Sequence, residues 1–204
     1  MFRVSRFAAA VRRLGPWALL CLLAGCQPPT PLSRAGVSLA PPASWRPAPT
    51  DRWPVPGTPL AAWAGPNGAS LVVYRQIGPA LAEPAEPAAQ GMLTGLATRL
   101  SNLPGLNETA RRIERWGDEP ACRLEVVAPG TGDALAPTGI GTPVAPRGQT
   151  LIPTHRVMIG IPGPQTIFLV WHAPESAQAE LLSEIETIRQ GFRYRQVPVS
   201  TASY

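Results

Sequence analysis

The chain has 204 residues, enough for one domain with a sizeable core. Its 18 cationic side chains are all Arg, set against 13 acids, which removes Lys-based chemistry such as Schiff bases and the phosphate-loop lysine. Pro (26) and Gly (19) are abundant, yet a 45% hydrophobic fraction argues against wholesale disorder and assigns the extra Pro to linkers.

The N-terminal stretch carries Arg3, Arg6, Arg12 and Arg13 and no acid, followed by an apolar run from Pro16 to Ala24. That run is too short to span a bilayer, which takes about 20 apolar residues, so a cleaved signal peptide is expected over residues 1–25. Leu23-Ala24-Gly25-Cys26 matches the bacterial lipobox. Cleavage is expected between Gly25 and Cys26, leaving Cys26 as the diacylglycerol-carrying first residue of the mature chain. Two or three acyl chains, palmitate among them, give stable attachment to membrane lipid. Gln27 rather than Asp follows the Cys, the pattern of outer-membrane sorting in a diderm host. Removing the signal leaves 14 Arg against 13 acids, a charge of about +1, so no basic field attracts nucleic acid. Cys21 leaves with the signal and Cys26 is acylated, so Cys122 is the remaining thiol and the mature chain has no intramolecular disulfide.

Residues 26–35 read as the lipidated Cys and a Pro-rich tether, QPPTPLSRA, reaching about 30 Å at most. A single domain is expected over 36–195, with 196–204 as a tail. Gly36 to Leu39 is the first strand, closed by the loop from Pro41 to Trp45. Leu60–Ala64 and Ser70–Arg75 form a hairpin around Pro66-Asn67-Gly68. Residues 79–88 read as a loop, and 89–103 as a helix with Met92, Leu93, Leu96, Leu100 and Leu103 at helical spacing, stopped by Pro104-Gly105. A second hairpin joins 107–116 to 121–128; Cys122, Leu124 and Val126 alternate there with Arg123 and Glu125, which predicts one wet face. Residues 129–150, rich in Gly, Pro and Thr, form an inserted loop. A third hairpin pairs 151–161 with 166–172 across the turn 162–165. A closing helix over 176–191 carries Leu181, Ile185, Ile188 and Phe192 as its stripe, with Ser176 as N-cap and Gly191 as stop. Dominance of hairpins predicts an α+β domain, a mostly antiparallel sheet packed against helices.

The Pro42 to Trp45 turn, the aromatic hairpin, the central helix and a terminal helix ending in Gly191-Phe192-Arg193-Tyr194 together resemble the PsbP-like group. That group comprises the extrinsic photosystem protein and the DcrB-like bacterial lipoproteins. The resemblance covers about residues 36–195 in order of elements and loose motifs. It implies an α/β/α sandwich used by accessory, assembly or binding proteins, and no functional residue carries over.

Candidate site residues are few. If the third hairpin closes symmetrically, with Ile161 opposite Thr166, His155 falls opposite His172, with Cβ atoms about 5 Å apart, close enough to share a metal ion or a proton. A one-residue slip would separate them. Cys122 reads first as a buried small apolar residue and second as a reactive thiol. No G-x-S-x-G or other nucleophile motif is present, and Gly139-Ile140-Gly141 lacks the strand and helix of a phosphate loop. Glu83 and Glu86 lie among prolines. Arg111, Arg112 and Arg115 read as a solvated edge paired with Glu114, or as an anion patch facing lipid headgroups. Most of Trp45, Trp53, Trp63, Trp116 and Trp171 belong in the core, with Trp53 the candidate for an exposed contact. The expectation is a non-catalytic, membrane-anchored accessory or binding lipoprotein of the bacterial cell envelope, without a cofactor and with an envelope protein as partner. The alternative is a small-ligand or metal-binding domain built on His155 and His172.

Overall fold

In the computed structural model, residues 30–50, 57–77, 85–101, 105–131 and 150–197 are described. The main sheet has seven antiparallel strands in the order β2-β3-β4-β8-β7-β6-β5. These are β2 (Arg46–Ala48), β3 (Thr58–Ala64), β4 (Ser70–Ile77), β5 (Asn107–Trp116), β6 (Glu119–Thr131), β7 (Leu151–Ile161) and β8 (Gln165–Pro174). A second, two-stranded sheet pairs β1 (Val37–Ser38) with β9 (Arg193–Tyr194). Helix α1 is Pro31–Arg34, α2 is Ala85–Ser101 and α3 is Gln178–Gly191. Among the described residues no helix is long and apolar enough to cross a membrane.

Alternation of side chains along the strands gives the sheet two apolar faces. One face, carrying Val72, Tyr74, Leu124, Met158 and Val170, packs under Leu93, Leu96 and Leu100 of α2. The other, carrying Leu71, Val73, Ile159, Leu169 and Trp171, packs under Leu181, Ile185 and Ile188 of α3 with Phe192. The result is the expected α+β sandwich.

The first hairpin forms as read. Its turn takes Asn67 at φ +54° and Gly68 at φ +77°, backbone that Asn and Gly tolerate best. A Cβ on Gly65 would lie 2.7 Å from the Trp45 ring, so the glycine lets that indole close the hairpin end. Trp45 itself is held by a turn, its N–H donating to the Pro42 carbonyl at 2.9 Å.

Several boundaries differ from expectation. The folded unit begins at Pro31, not residue 36: the Ala35 N–H bonds the carbonyls of Pro31 and Leu32, and Ala35 and Leu32 pack into the core. Helix α2 starts at Ala85, inside the stretch read as loop. Pro87 is compatible there because first-turn residues need no N–H partner, and Glu86 favours the helix N-terminus. Ser176 does not cap α3; it sits within a 3-10 turn, Glu175–Ala177, and the N-cap is Ala177 without a side-chain bond. Gly191 is the last helical residue, and the chain leaves extended at Phe192. Residues 129–131 and 151–153, read as loop ends and strand start, pair with one another, so the connection spans less than 129–150. At the tail, Val197 accepts from the Gln165 amide at 3.4 Å. Residues 1–29, 132–149 and 198–204, which hold the expected signal peptide, the lipobox match, most of the expected loop and most of the expected tail, lie outside the described residues.

Candidate functional site

The histidines do not meet. Ile161 pairs with Ile167, so the third hairpin closes one residue off the symmetric register. His155 lies opposite Ala173, while His172 lies opposite Arg156. Because side chains alternate, the two imidazoles project from opposite faces of the sheet. The shared metal or proton site of His155 and His172 is therefore not formed. Among the described residues no group of three His, Cys, Asp or Glu side chains is arranged to hold a metal ion.

Each histidine instead belongs to a separate buried polar row. On the α3 face, Arg123 and Glu125 are 4% and 6% exposed, so the predicted wet face of β6 is dry. Their charges are met by one another and by neighbours. Arg123 Nε donates to Glu125 Oε1 at 2.7 Å and its Nη1 lies 3.6 Å from Glu114. Arg112 Nε donates to Glu114 Oε2 at 3.0 Å, and the Trp116 indole donates to the other Glu114 oxygen at 2.7 Å. His155 Nε2 lies 3.5 Å from Glu125 Oε2. The His155 imidazole first, and Arg123 after it, hold the Glu125 carboxyl below the ordinary range, against the opposing effect of burial. This cluster joins β5, β6 and β7.

On the α2 face, cross-strand register sets Arg156, His172 and Ser70 side by side on β7, β8 and β4. All three are buried, as is Thr154. A Cβ on Gly130 would lie 2.4 Å from Thr154 Oγ1 and 3.4 Å from the His172 ring, so the glycine gives these side chains room. Burial pulls the Arg156 guanidinium below its usual value, and its Nη2 donates to the Pro129 carbonyl at 3.4 Å.

Cys122, on β6, is fully buried in the core on the α2 face. Burial pushes its thiol up to about 11, so the nucleophilic thiolate is disfavoured at neutral pH. Arg111 and Arg112 are ion-paired with Glu108 and Glu114, and Arg115 donates to the Asp118 carbonyl. These three are a charged edge on β5, which discourages pairing with another chain. Trp45, Trp116 and Trp171 are core residues and Trp63 packs against the core. Trp53, Glu83 and Gly139 to Gly141 lie outside the described residues, as do Gly25 and Cys26. A groove of about 430 Å³ sits at the start of β5, the end of β6 and the start of β7. Its lining includes Val127, Pro129, Leu151 and Pro153, with Asn107 as a polar group.

Sequence reading missed both buried rows. Alternation of Arg and Glu on β6 has the same pattern as a solvated face; the distinguishing signal is compensation in number, with Glu114, Arg123 and Glu125 in reach of one another across paired strands.

No protein-family model matches the sequence, and no curated protein matches it. Among solved structures, the chain is similar to the cyanobacterial PsbP protein of Synechocystis sp. PCC 6803, with a TM-score of 0.50 and 10% identity over 80% of this chain and 89% of that one. It also aligns with LpqN of Mycobacterium tuberculosis, involved in cell envelope biogenesis, at TM-score 0.46 and 16% identity, covering 76% and 81%. The Ran-binding protein Mog1p of Saccharomyces cerevisiae aligns at TM-score 0.47 and 13% identity, covering 81% and 93%. At these identities the likeness speaks to architecture, and the fold of this chain is PsbP-like.

Proposed function

We propose that this chain is a lipid-anchored accessory protein of the bacterial cell envelope that acts by binding a protein partner rather than by catalysis. The observation that carries the binding role is where the reactive side chains sit. Cys122, His155 and His172 are each at most 2% exposed and divided between two faces of one sheet, so no substrate meets them together. General acid–base or nucleophilic chemistry needs such groups within hydrogen-bond reach of a substrate. The anchor is supported by the basic N-terminal stretch, the apolar run and the Leu23-Ala24-Gly25-Cys26 motif. Gln27 supports the outer membrane as destination where the host is a diderm.

The test joins lipidation to partnership. Cells fed an alkynyl fatty acid should label the tagged protein, and Cys26→Ser should abolish the label. In-cell crosslinking followed by mass spectrometry should then recover one stoichiometric envelope protein, weakened by Cys26→Ser. A labelled protein that crosslinks to nothing above background would sink the partner role while leaving the anchor standing.

A further inference from the structure

The end of the domain at which the folded unit begins carries several guanidinium groups. Residue 31 begins the folded unit, and Gly36, five residues on, accepts from the Arg195 N–H at 2.9 Å. Strand β1 pairs Val37 with Tyr194 and Ser38 with Arg193. The N-terminal segment thus lies beside Arg193 and Arg195, with Arg34 on α1 immediately before it. Across from it, the β5–β6 turn closes against the same place: a Cβ on Gly117 would lie 3.5 Å from the Phe192 carbonyl and 3.9 Å from Arg193 Cα. That turn brings Arg115, and the Arg115 carbonyl accepts from Arg189 Nη1 at 3.4 Å. Arg34, Arg115, Arg193 and Arg195 are exposed and Arg189 is half-buried. Among the described residues, three carboxylates lie next to these guanidiniums. Glu186 is bound to Arg189 at 2.6 Å, Glu119 accepts from the Gln196 amide at 3.4 Å, and Asp118 is exposed. Glu114, the next acid back along β5, is taken up by Arg112 and Arg123.

Among the described residues, these five guanidiniums lie beside those three carboxylates, a local excess of two positive charges. Position sharpens its meaning. Cys26 is five residues before Pro31, a reach of about 17 Å when extended. On the reading that Cys26 is acylated, this end is held within a Debye length or two of the bilayer surface, where guanidiniums are attracted to anionic headgroups.

We infer that the surface formed by Arg34, Arg115, Arg189, Arg193 and Arg195 is a docking face for anionic lipid headgroups, which orients the domain on its own membrane. The inference rests on the lipid-anchor reading. Docking would turn the opposite end, with the groove lined by Asn107, Val127 and Leu151, away from the bilayer and toward a partner.

The experiment uses the full chain purified from membranes, its acylation checked by intact mass, and reconstituted into vesicles. One set contains phosphatidylcholine alone and the other about one third phosphatidylglycerol. Backbone hydrogen exchange is followed by mass spectrometry. Slower exchange in peptides covering 31–38, 115–119 and 193–197 is expected on the anionic vesicles, fading as salt is raised. Arg34→Gln combined with Arg195→Gln should lower the docked-to-undocked ratio by roughly fivefold for each guanidinium removed. A melting temperature close to the parent's, measured in parallel, excludes unfolding as the cause. Equal exchange on both lipids by an acylated protein would overturn the docking face and leave the anchor intact. A mass without acyl addition would overturn the anchor reading, and the docking face with it.

Discussion

The hardest residue to place by pattern is the one whose chemistry is best defined by its surroundings. Glu125 sits in a dry part of the sheet with Arg123 at 2.7 Å, His155 at 3.5 Å and Arg112 at 3.9 Å. Removing one member of a buried ionic cluster leaves its partner uncompensated, at a cost of about 3–5 kcal/mol. Glu125→Gln keeps the shape and removes the charge, leaving Arg123 to Glu114 alone. We expect a loss of about 3 kcal/mol in urea unfolding at pH 7. The pH dependence follows from the direction of the Glu125 shift. Its folded-state value lies below the unfolded one, so the stability it supplies is fully present above the ordinary carboxylate range. That stability is lost as pH falls through the lower folded-state value. Wild type should therefore lose more stability in acid than Glu125→Gln, and the two curves should converge. Parallel curves from pH 7 to pH 3 would show that the carboxylate is not the linked group.

Element by element, helices and hairpins were legible because apolar period and turn residues agree on them. Helix α2 could be read from Leu93, Leu96 and Leu100, all buried, although its start was hidden by Pro87, a breaker in mid-helix but compatible with the first turn. What could not be read was register. The turn Pro162-Gly163-Pro164-Gln165 is compatible with more than one loop length, and a slip of one residue moved His172 to the opposite face from His155. Polarity on β6 was misread for a different reason: burial of Arg123 and Glu125 depends on Glu114 from a neighbouring strand, which a period along one strand does not contain. Glycines of α2 and β7 give a paired prediction. Gly91 and Gly95 are exposed on α2, and a methyl group added at either would meet nothing within 4 Å, so each Gly→Ala change should stabilise by about 0.5–1 kcal/mol. Gly160 is the opposite case: its Cβ would fall 2.4 Å from Met92 Sδ and 2.9 Å from Cys122 Sγ. Gly160→Ala should destabilise by about 1–3 kcal/mol and raise amide exchange in α2, which rests on that contact. Thermal melts of the three variants check the signs, and a stabilised Gly160→Ala would mean that α2 is not tightly seated on β7.

At the scale of the molecule, sheet order was beyond local pattern, since β4 and β8, far apart in sequence, are neighbours through pairings such as Arg75 with Ile167. On the reading that Cys26 is acylated, the same topology sets how the domain meets its anchor. Because β9 returns from α3 to pair with β1, the folded unit starts at Pro31 and the tether shortens to the few residues after Cys26. A short tether acts as a concentration device: local concentration near a membrane partner falls roughly as the −3/2 power of linker length. Inserting about 20 Gly/Ser residues after Gln27 lengthens the link between Cys26 and Pro31 about fivefold, with an r.m.s. span of about 25 Å for the insert. The yield of crosslinked envelope partner should then fall about tenfold, with acylation and melting temperature unchanged. Domain affinity alone would give an unchanged yield, and that result would remove the tether from the mechanism. Held close, a weakly binding domain is enough; held loosely, the same contacts would have to be far stronger to keep one partner occupied.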